Sequence, residues 1–505
     1  MKTRINQSSY WLTLLLLLTT LGAFAQQPAI QYFRPYDQRG VNVYETPKND
    51  TVVFDGLKLR LGANFTQGWQ NITHSNNARA ILTGAGNLYE SAPGSNTFYT
   101  NLAGTGAPVT NLTQDPNVYG GYISPTGQLY SNSNAVYQQA GGFPLAQANF
   151  NMDIQLADGV RVSLVSYMSA HHHNEFWVKG GYFQIDKVGF MGSEFLNKLW
   201  KNLTLKVGHM EINYGDAHFR RSDGGNTMWN PFIENNLMDA YTTEIGAELY
   251  WQKNGIIAML AMTDGEIQGS VSKPDDRKPS LYGKFGFDKK FGDIRARLTG
   301  SFYTTKSSIS NTLYGGDRTG SNYQYVMEPW NATLTGNAFS GRINPGFKDN
   351  VTSIMVNPFV KFKGIELFGT YETSSGNSQV ENGEIKYSDP TKPTFSALPN
   401  RSWQQIEADV VYRFGKNERY YIGAKYNKVS GTAVFGQSTS ATNINQGTRQ
   451  DVSVERTSFG AGWFITRNVL FKAEYVNQKY NDYPTDNILS GGKFNGLVVQ
   501  GIIGF

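Results

Sequence analysis

Strictly alternating apolar and polar residues recur along most of the chain. A two-residue period admits only β-strands with two chemically different faces. Leu57, Leu59, Leu61, Ala63 and Phe65 alternate with Lys58, Arg60, Gly62, Asn64 and Thr66. Ala148, Phe150, Met152, Ile154 and Leu156 alternate with Gln147, Asn149, Asn151, Asp153 and Gln155. Ile294, Ala296 and Leu298 alternate with Arg295, Arg297 and Thr299, and Ile406, Ala408 and Val410 with Glu407 and Asp409. Each run is about ten residues long, the length a tilted strand needs to cross a bilayer. Sixteen strands are predicted, near 57–70, 145–157, 160–170, 176–185, 203–214, 241–252, 256–263, 281–289, 294–304, 352–363, 365–373, 403–414, 420–430, 452–465, 469–477 and 494–505.

The connections alternate too. Every second one is short and turn-like: Asp158-Gly159, Lys253-Asn254-Gly255, Phe291-Gly292-Asp293, Gly364, 415–418 and 466–468. Such sequences suit tight hairpins. The others are mostly long and polar, at 71–144, 171–175, 215–240, 264–280, 305–351, 374–402, 431–451 and 478–493. Turns on one side and loops on the other are the pattern of a membrane barrel, and a soluble sandwich has no reason to segregate them. Residues 186–202 depart from it, and Phe195 to Lys201 predict a short amphipathic helix at the inner interface.

Composition narrows the class. There is no cysteine in 505 residues, which excludes disulfides, thiolate metal sites and a Cys nucleophile. The net charge is +5 with no dense basic run, so no nucleic-acid partner is expected. Lys2 and Arg4, the apolar stretch from Trp11 to Leu21 and then Ala23-Phe24-Ala25 read as a signal peptide over 1–25. Residues 26–56 then form a periplasmic N-terminal segment, or tuck into the barrel mouth as a small plug, and 57–505 form the barrel.

The last predicted strand alternates through Leu497, Val499, Gly501 and Ile503 to Phe505. With the leader and the strand number, this ending resembles Gram-negative outer-membrane porins, most nearly the phosphate-selective porin O and P type. The resemblance implies a transmembrane antiparallel up-and-down β-barrel with long extracellular loops and short periplasmic turns. It also implies a homotrimer in outer-membrane lipid that passes phosphate or related anions, with Phe505 read by the barrel-assembly machinery.

In such a barrel the polar face of each strand points inward. That face carries Lys58, Arg60, Arg161, Lys179, Lys206, Lys284, Arg295, Arg297, Lys361, Arg413, Lys425, Arg456 and Lys472. It also carries Asp153, Glu244, Glu248, Asp288, Glu366, Glu372, Glu407, Asp409 and Glu474, a modest basic excess. Fixed charges bias which ions enter a pore. Arg295 and Arg297, two apart, predict a ladder for anions. Any water-filled barrel lines itself with charge, however, so a general pore for small hydrophilic solutes stays open beside an anion-selective one.

The resemblance implies that the third long loop folds into the lumen as a constriction. It carries Asp216, His218, Arg220, Arg221 and Asp223. Its arginines beside its aspartates would set a transverse field, and guanidinium forks suit phosphate. His171-His172-His173 alternate in direction along an extended chain, so no dedicated metal site is expected. No nucleophile elbow, phosphate loop or metalloprotease motif occurs, and neither an enzyme nor a cofactor is expected. A second reading keeps the barrel and makes the long loops a receptor, adhesin or complex scaffold.

Overall fold

The computed structural model describes residues 27–84, 87–91, 98–99, 108–109, 112–115, 120–169, 176–222, 226–264, 278–308, 311–315, 321–334, 336–337, 339, 341–383, 396–440 and 443–505. The expected leader, the three consecutive histidines and Asp223 lie outside the described residues.

Sixteen strands form one closed antiparallel barrel. Numbering the barrel strands alone, they are β1 (Lys58–Ser75), β2 (Gln147–Ala157), β3 (Val160–Met168), β4 (Trp177–Ile185), β5 (Leu203–Glu211), β6 (Thr243–Lys253), β7 (Ile256–Thr263) and β8 (Lys278–Phe291). Then come β9 (Ile294–Lys306), β10 (Asn350–Phe362), β11 (Ile365–Asn377), β12 (Arg401–Phe414), β13 (Tyr420–Phe435), β14 (Thr448–Thr466), β15 (Val469–Asn481) and β16 (Lys493–Gly504). Every predicted strand is present. Closure comes from β1 pairing with β16, with Asn64 opposite Gly504 and Ser75 opposite Lys493. The barrel itself then has no open strand edge. Residues 186–202 hold a short helix, α1 (Glu194–Trp200), capped by the Ser193 hydroxyl, which accepts from the Leu196 amide.

Alternation sorts side chains to two faces. Leu249, Leu260, Phe285, Leu367 and Ile406 stand exposed on the outer wall. The outer wall also carries an aromatic row near the short-turn end, with ring centroids 5.5 Å apart for Tyr412 and Phe414, 5.7 Å for Phe414 and Tyr420, and 6.3 Å for Tyr420 and Trp463. Trp403, Tyr421 and Tyr480, aromatic residues near strand ends that could be expected in an interfacial belt, do not join this row. They point inward and are buried.

The interior is furnished by three segments besides the wall. The third long loop, 212–242, runs inside the barrel and buries Ile233, Leu237 and Met238 against the wall and the fifth loop. The fifth, 307–349, also folds inward and buries Leu313, Tyr323, Val326 and Phe347. Residues 27–56 occupy the short-turn end. The Gln38 amide donates to the Arg467 carbonyl at 2.9 Å, and Lys48 donates to the Asp186 and Leu203 carbonyls at 2.8 and 2.6 Å. The first loop docks on the fifth, with Tyr137 stacked on Tyr325 at 4.4 Å.

Inward rings are accommodated by glycine on the neighbouring strand. Tyr421 of β13 lies opposite Gly462 of β14, and a Cβ at 462 would occupy the space of the Tyr421 ring. Overpacking of this kind costs about 1–3 kcal/mol. Gly462→Val should therefore lower stability by that amount in denaturant unfolding of the purified barrel. An unchanged midpoint would mean the ring moves freely.

Candidate functional site

Asp216 organises the interior. It follows Gly215, whose φ of +71° suits glycine and whose missing Cβ leaves room for the Met355 sulfur, so the loop can press against the wall. The Asp216 carboxylate accepts from Arg297 at 2.8 Å through two nitrogens, from Lys284 at 2.9 Å and from Thr299 at 2.7 Å. The Asn357 side-chain oxygen accepts from its backbone N–H at 2.8 Å. Glu45, from the N-terminal segment, pairs with Arg297 at 2.6 Å and Lys284 at 3.3 Å. Two anions and two cations thus bind the third loop, the N-terminal segment and the wall of β8 and β9. Burial alone would raise the Asp216 pKa, but Arg297 and Lys284 together hold it well below the usual carboxylate range.

The rest of the loop is fastened to the opposite wall. Arg220 pairs with Asp409 at 2.9 Å, and Arg221 pairs with Asp239 of its own loop. Lys472 donates to the carbonyls of Thr227, Asn230 and Phe232 at 2.9, 3.0 and 2.6 Å. Glu474 accepts from the Ile233 amide, and Gln405 accepts from the Met238 amide while donating to its carbonyl. The interior beside β8–β16 is in this way largely occupied, with a space of about 330 Å³ among Arg220, Phe368, Glu407 and Lys425.

The interior beside β2–β6 is not filled. A cavity of about 1060 Å³ lies between this wall and the third loop, lined by Arg34, Asp153, Arg161, Lys179, Lys206, His209, Glu211, His218 and Arg221, with Phe33, Tyr182, Phe219, Trp229 and Tyr241. A second space of about 670 Å³ adjoins it and shares Arg34, Arg161, Tyr182, Lys206 and His218, reaching Gln184, Thr204 and Gln252 nearer the short turns. A vestibule of about 1820 Å³ follows at the short-turn end, with Arg39, Arg60 and Arg467 beside Asp37 and Asp50. The two inner spaces are lined by five Arg and Lys against Asp153, Glu211 and Glu45. Their cations are held by rings as well as acids. Lys206 lies 3.1 Å from Glu248 and 4.6 Å from the Tyr182 ring, and Arg161 3.7 Å from Asp153. Arg34 lies 3.7 Å over Trp229. His218 sits 3.2 Å from Glu211 and 2.9 Å from the Asn213 side-chain oxygen. Burial pushes its pKa down, and Glu211 partly offsets this.

No protein-family model matches the chain, and no curated protein matches it. Among solved structures, an anion-selective porin from Comamonas acidovorans is 9% identical with a TM-score of 0.45, the match covering 89% of this chain and 100% of that one. The outer membrane channel DcaP of Acinetobacter baumannii is 10% identical at 0.42, covering 90% and 99%. OmpT, an outer membrane protein of Vibrio cholerae, is 9% identical at 0.40, covering 90% and 99%. Identities and scores this low speak to neither solute nor partner.

The predicted basic residues all face the interior, but only some reach open space. Arg161, Lys179 and Lys206 line the cavity, with His218 and Arg221 of the loop, and Arg60 lines the vestibule. Arg295 and Arg297 do not stand as an open ladder: Arg295 pairs with Asp288 at 2.6 Å, and Arg297 is sealed in the Asp216 cluster. Arg413 and Lys361 hold Glu366 at 2.9 and 3.1 Å, Lys425 lies 5.7 Å over the Phe232 ring, and Lys58 pairs with Asp55 at 2.6 Å. Nor do Arg220 and Arg221 oppose Asp216 across a gap, since each has another carboxylate. Phe505 follows β16, with its backbone bonded to Ala63. Sequence reasoning missed Arg34, Glu45 and the inward fifth loop, which lie outside the alternating runs. Tyr314, Tyr323 and Phe347 in a polar loop were the available signal.

Removing one member of a buried ion cluster leaves its partners uncompensated, a cost of about 3–5 kcal/mol. Asp216→Ala should lose that stability in denaturant unfolding and admit trypsin at Arg220 or Arg221, where the wild type resists. The depressed pKa also fixes a sign. The Asp216 contribution is present above the ordinary aspartate value of 3.8 and is lost as pH falls below it.

Proposed function

We propose that the protein is an outer-membrane channel through which small hydrophilic solutes diffuse, with anions, phosphate among them, favoured. The long loops face outward and the short turns the periplasm. One observation carries this reading: polar space runs along β2–β6 from the third loop to the short-turn vestibule, and its inner part holds more Arg and Lys than acid. The apolar outer wall suits lipid, and no catalytic step is needed. Selection arises where the third loop narrows the passage, from Arg161, Lys206 and Arg221 near the solute path.

Planar-bilayer recordings in a KCl gradient test it. Wild-type protein should conduct with a reversal potential on the anion side. Arg161→Gln with Lys206→Gln should move that potential toward cations, whereas Arg413→Gln, whose partner is Glu366 on the filled side, should not. Cation preference in the wild type would overturn the anion assignment. Absence of current would favour the long loops as a receptor, adhesin or scaffold.

His218 adds a pH dependence. Its pKa lies below the ordinary 6.5, so it gains charge only as pH falls through the range beneath that value. Anion preference should rise over that range and stay flat in His218→Gln. The outer wall gives a further check. Ile406, on the outer face of β12, is 55% exposed. Ile406→Arg should cost about 2–4 kcal/mol in refolding into lipid vesicles, the penalty for arginine near the bilayer midplane. A negligible cost would mean that this face does not meet lipid.

A further inference from the structure

The outer wall of β5–β9 is not a uniform apolar surface. In register, Trp251, Ala258, Phe285 and Gly300 form one outward row across β6–β9. Leu249, Leu260, Gly283 and Phe302 form the next. Gly300 and Ala258 are too small to fill their places, while Gly283 lets the Phe302 and Leu260 side chains close over it. The result is a groove of about 730 Å³. A Cβ built on Gly300 meets nothing within 4 Å.

Charge lies at one end of this groove only. Lys253 follows Trp251 by two residues on the same face of β6, and Lys289 follows Phe285 by four on β8. Lys289 packs against Gly255 of the β6–β7 turn, which brings it beside Lys253. Lys201 caps the C-terminus of α1, and the neighbouring Asn202 carbonyl accepts from the Gln252 amide at 2.8 Å. The three lysines therefore stand on adjoining elements at the short-turn rim, where the groove begins. Among the described residues none of the three forms an ion pair. On α1 the neighbouring Phe195 and Leu199 are 74% and 46% exposed, apolar groups that place this rim at an interface.

We propose that this wall holds one anionic phospholipid from the leaflet at the short-turn end. Its phosphate sits among Lys201, Lys253 and Lys289, and an acyl chain lies along Ala258 and Gly300. The inference rests on the membrane reading above, with the short turns toward the periplasm. A zwitterionic lipid would fill the groove equally well but would gain little from three uncompensated cations, so the charge selects the headgroup.

The test uses the full-length protein in non-ionic detergent, with phosphatidylglycerol or phosphatidylcholine added and the retained lipid counted by native mass spectrometry. Wild-type protein should retain phosphatidylglycerol in preference. Lys201→Gln/Lys253→Gln/Lys289→Gln should weaken that retention by about tenfold or more, because each lysine near an anionic headgroup contributes severalfold. Gly300→Leu fills the groove with the lysines intact and should weaken it as well. Equal retention of the two lipids, or phosphatidylglycerol retention undiminished in both variants, would overturn the site. A change of oligomeric state in Gly300→Leu without lipid loss would assign the groove to a second copy and overturn it too. Conductance separates the two readings. Current without lipid retention removes the site alone, and lipid retention without current removes the channel alone.

Discussion

Everything inside this barrel hangs on a buried cluster of four charges, Asp216, Glu45, Lys284 and Arg297. Opposite charges removed from water hold one another only when geometry and auxiliary hydrogen bonds are good, and here Thr299 and Asn357 supply the latter. The cluster joins three pieces of chain at one point: a segment before the first strand, a loop, and the wall. Once Asp216 is fixed, the loop can run only toward Arg220–Asp409 and on to the carbonyl cradle of Lys472. The outer barrel depends on backbone pairing and would close without this cluster. The interior would not have its shape.

That shape is lopsided. Cations on β8–β16 are taken up by acids of the wall or by the loops, whereas Arg161, Lys179 and Lys206 on β3–β5 line the gap. Two residues of equal charge and equal inward direction, Arg161 and Arg413, thus play different parts. The difference lies in which wall the loop leans on, and net lumen charge is a poor guide to it. The Trp229 ring and backbone carbonyls hold Arg34 in place without neutralising it, which keeps a positive group along the space that remains.

The barrel was legible because its determinants are local. Alternation sets a strand's two faces within ten or so residues, and turn chemistry sets each hairpin. All sixteen strands could be read that way. The division of the interior was not legible, because it depends on partners far apart. Arg297 reads as a lumen cation from β9 alone, and nothing near it announces Asp216 or Glu45. Residues 26–56 lack a period, so their role could be drawn as a tail or as a plug. Trp403, Tyr421 and Tyr480 look like belt residues by type and position near strand ends, yet parity turns them inward.

The placement of the N-terminal segment also orders events in time. Glu45 meets Arg297, Asn42 meets Glu366 and Gln38 meets Arg467. The earliest-made part of the described chain therefore finds its partners only after most of the later strands exist. It must wait inside or beside a growing sheet, and the seam between β1 and β16 is where the enclosure is completed. The bore is consequently the last feature of the molecule to mature, and a barrel interrupted before that point would have its wall but not its passage.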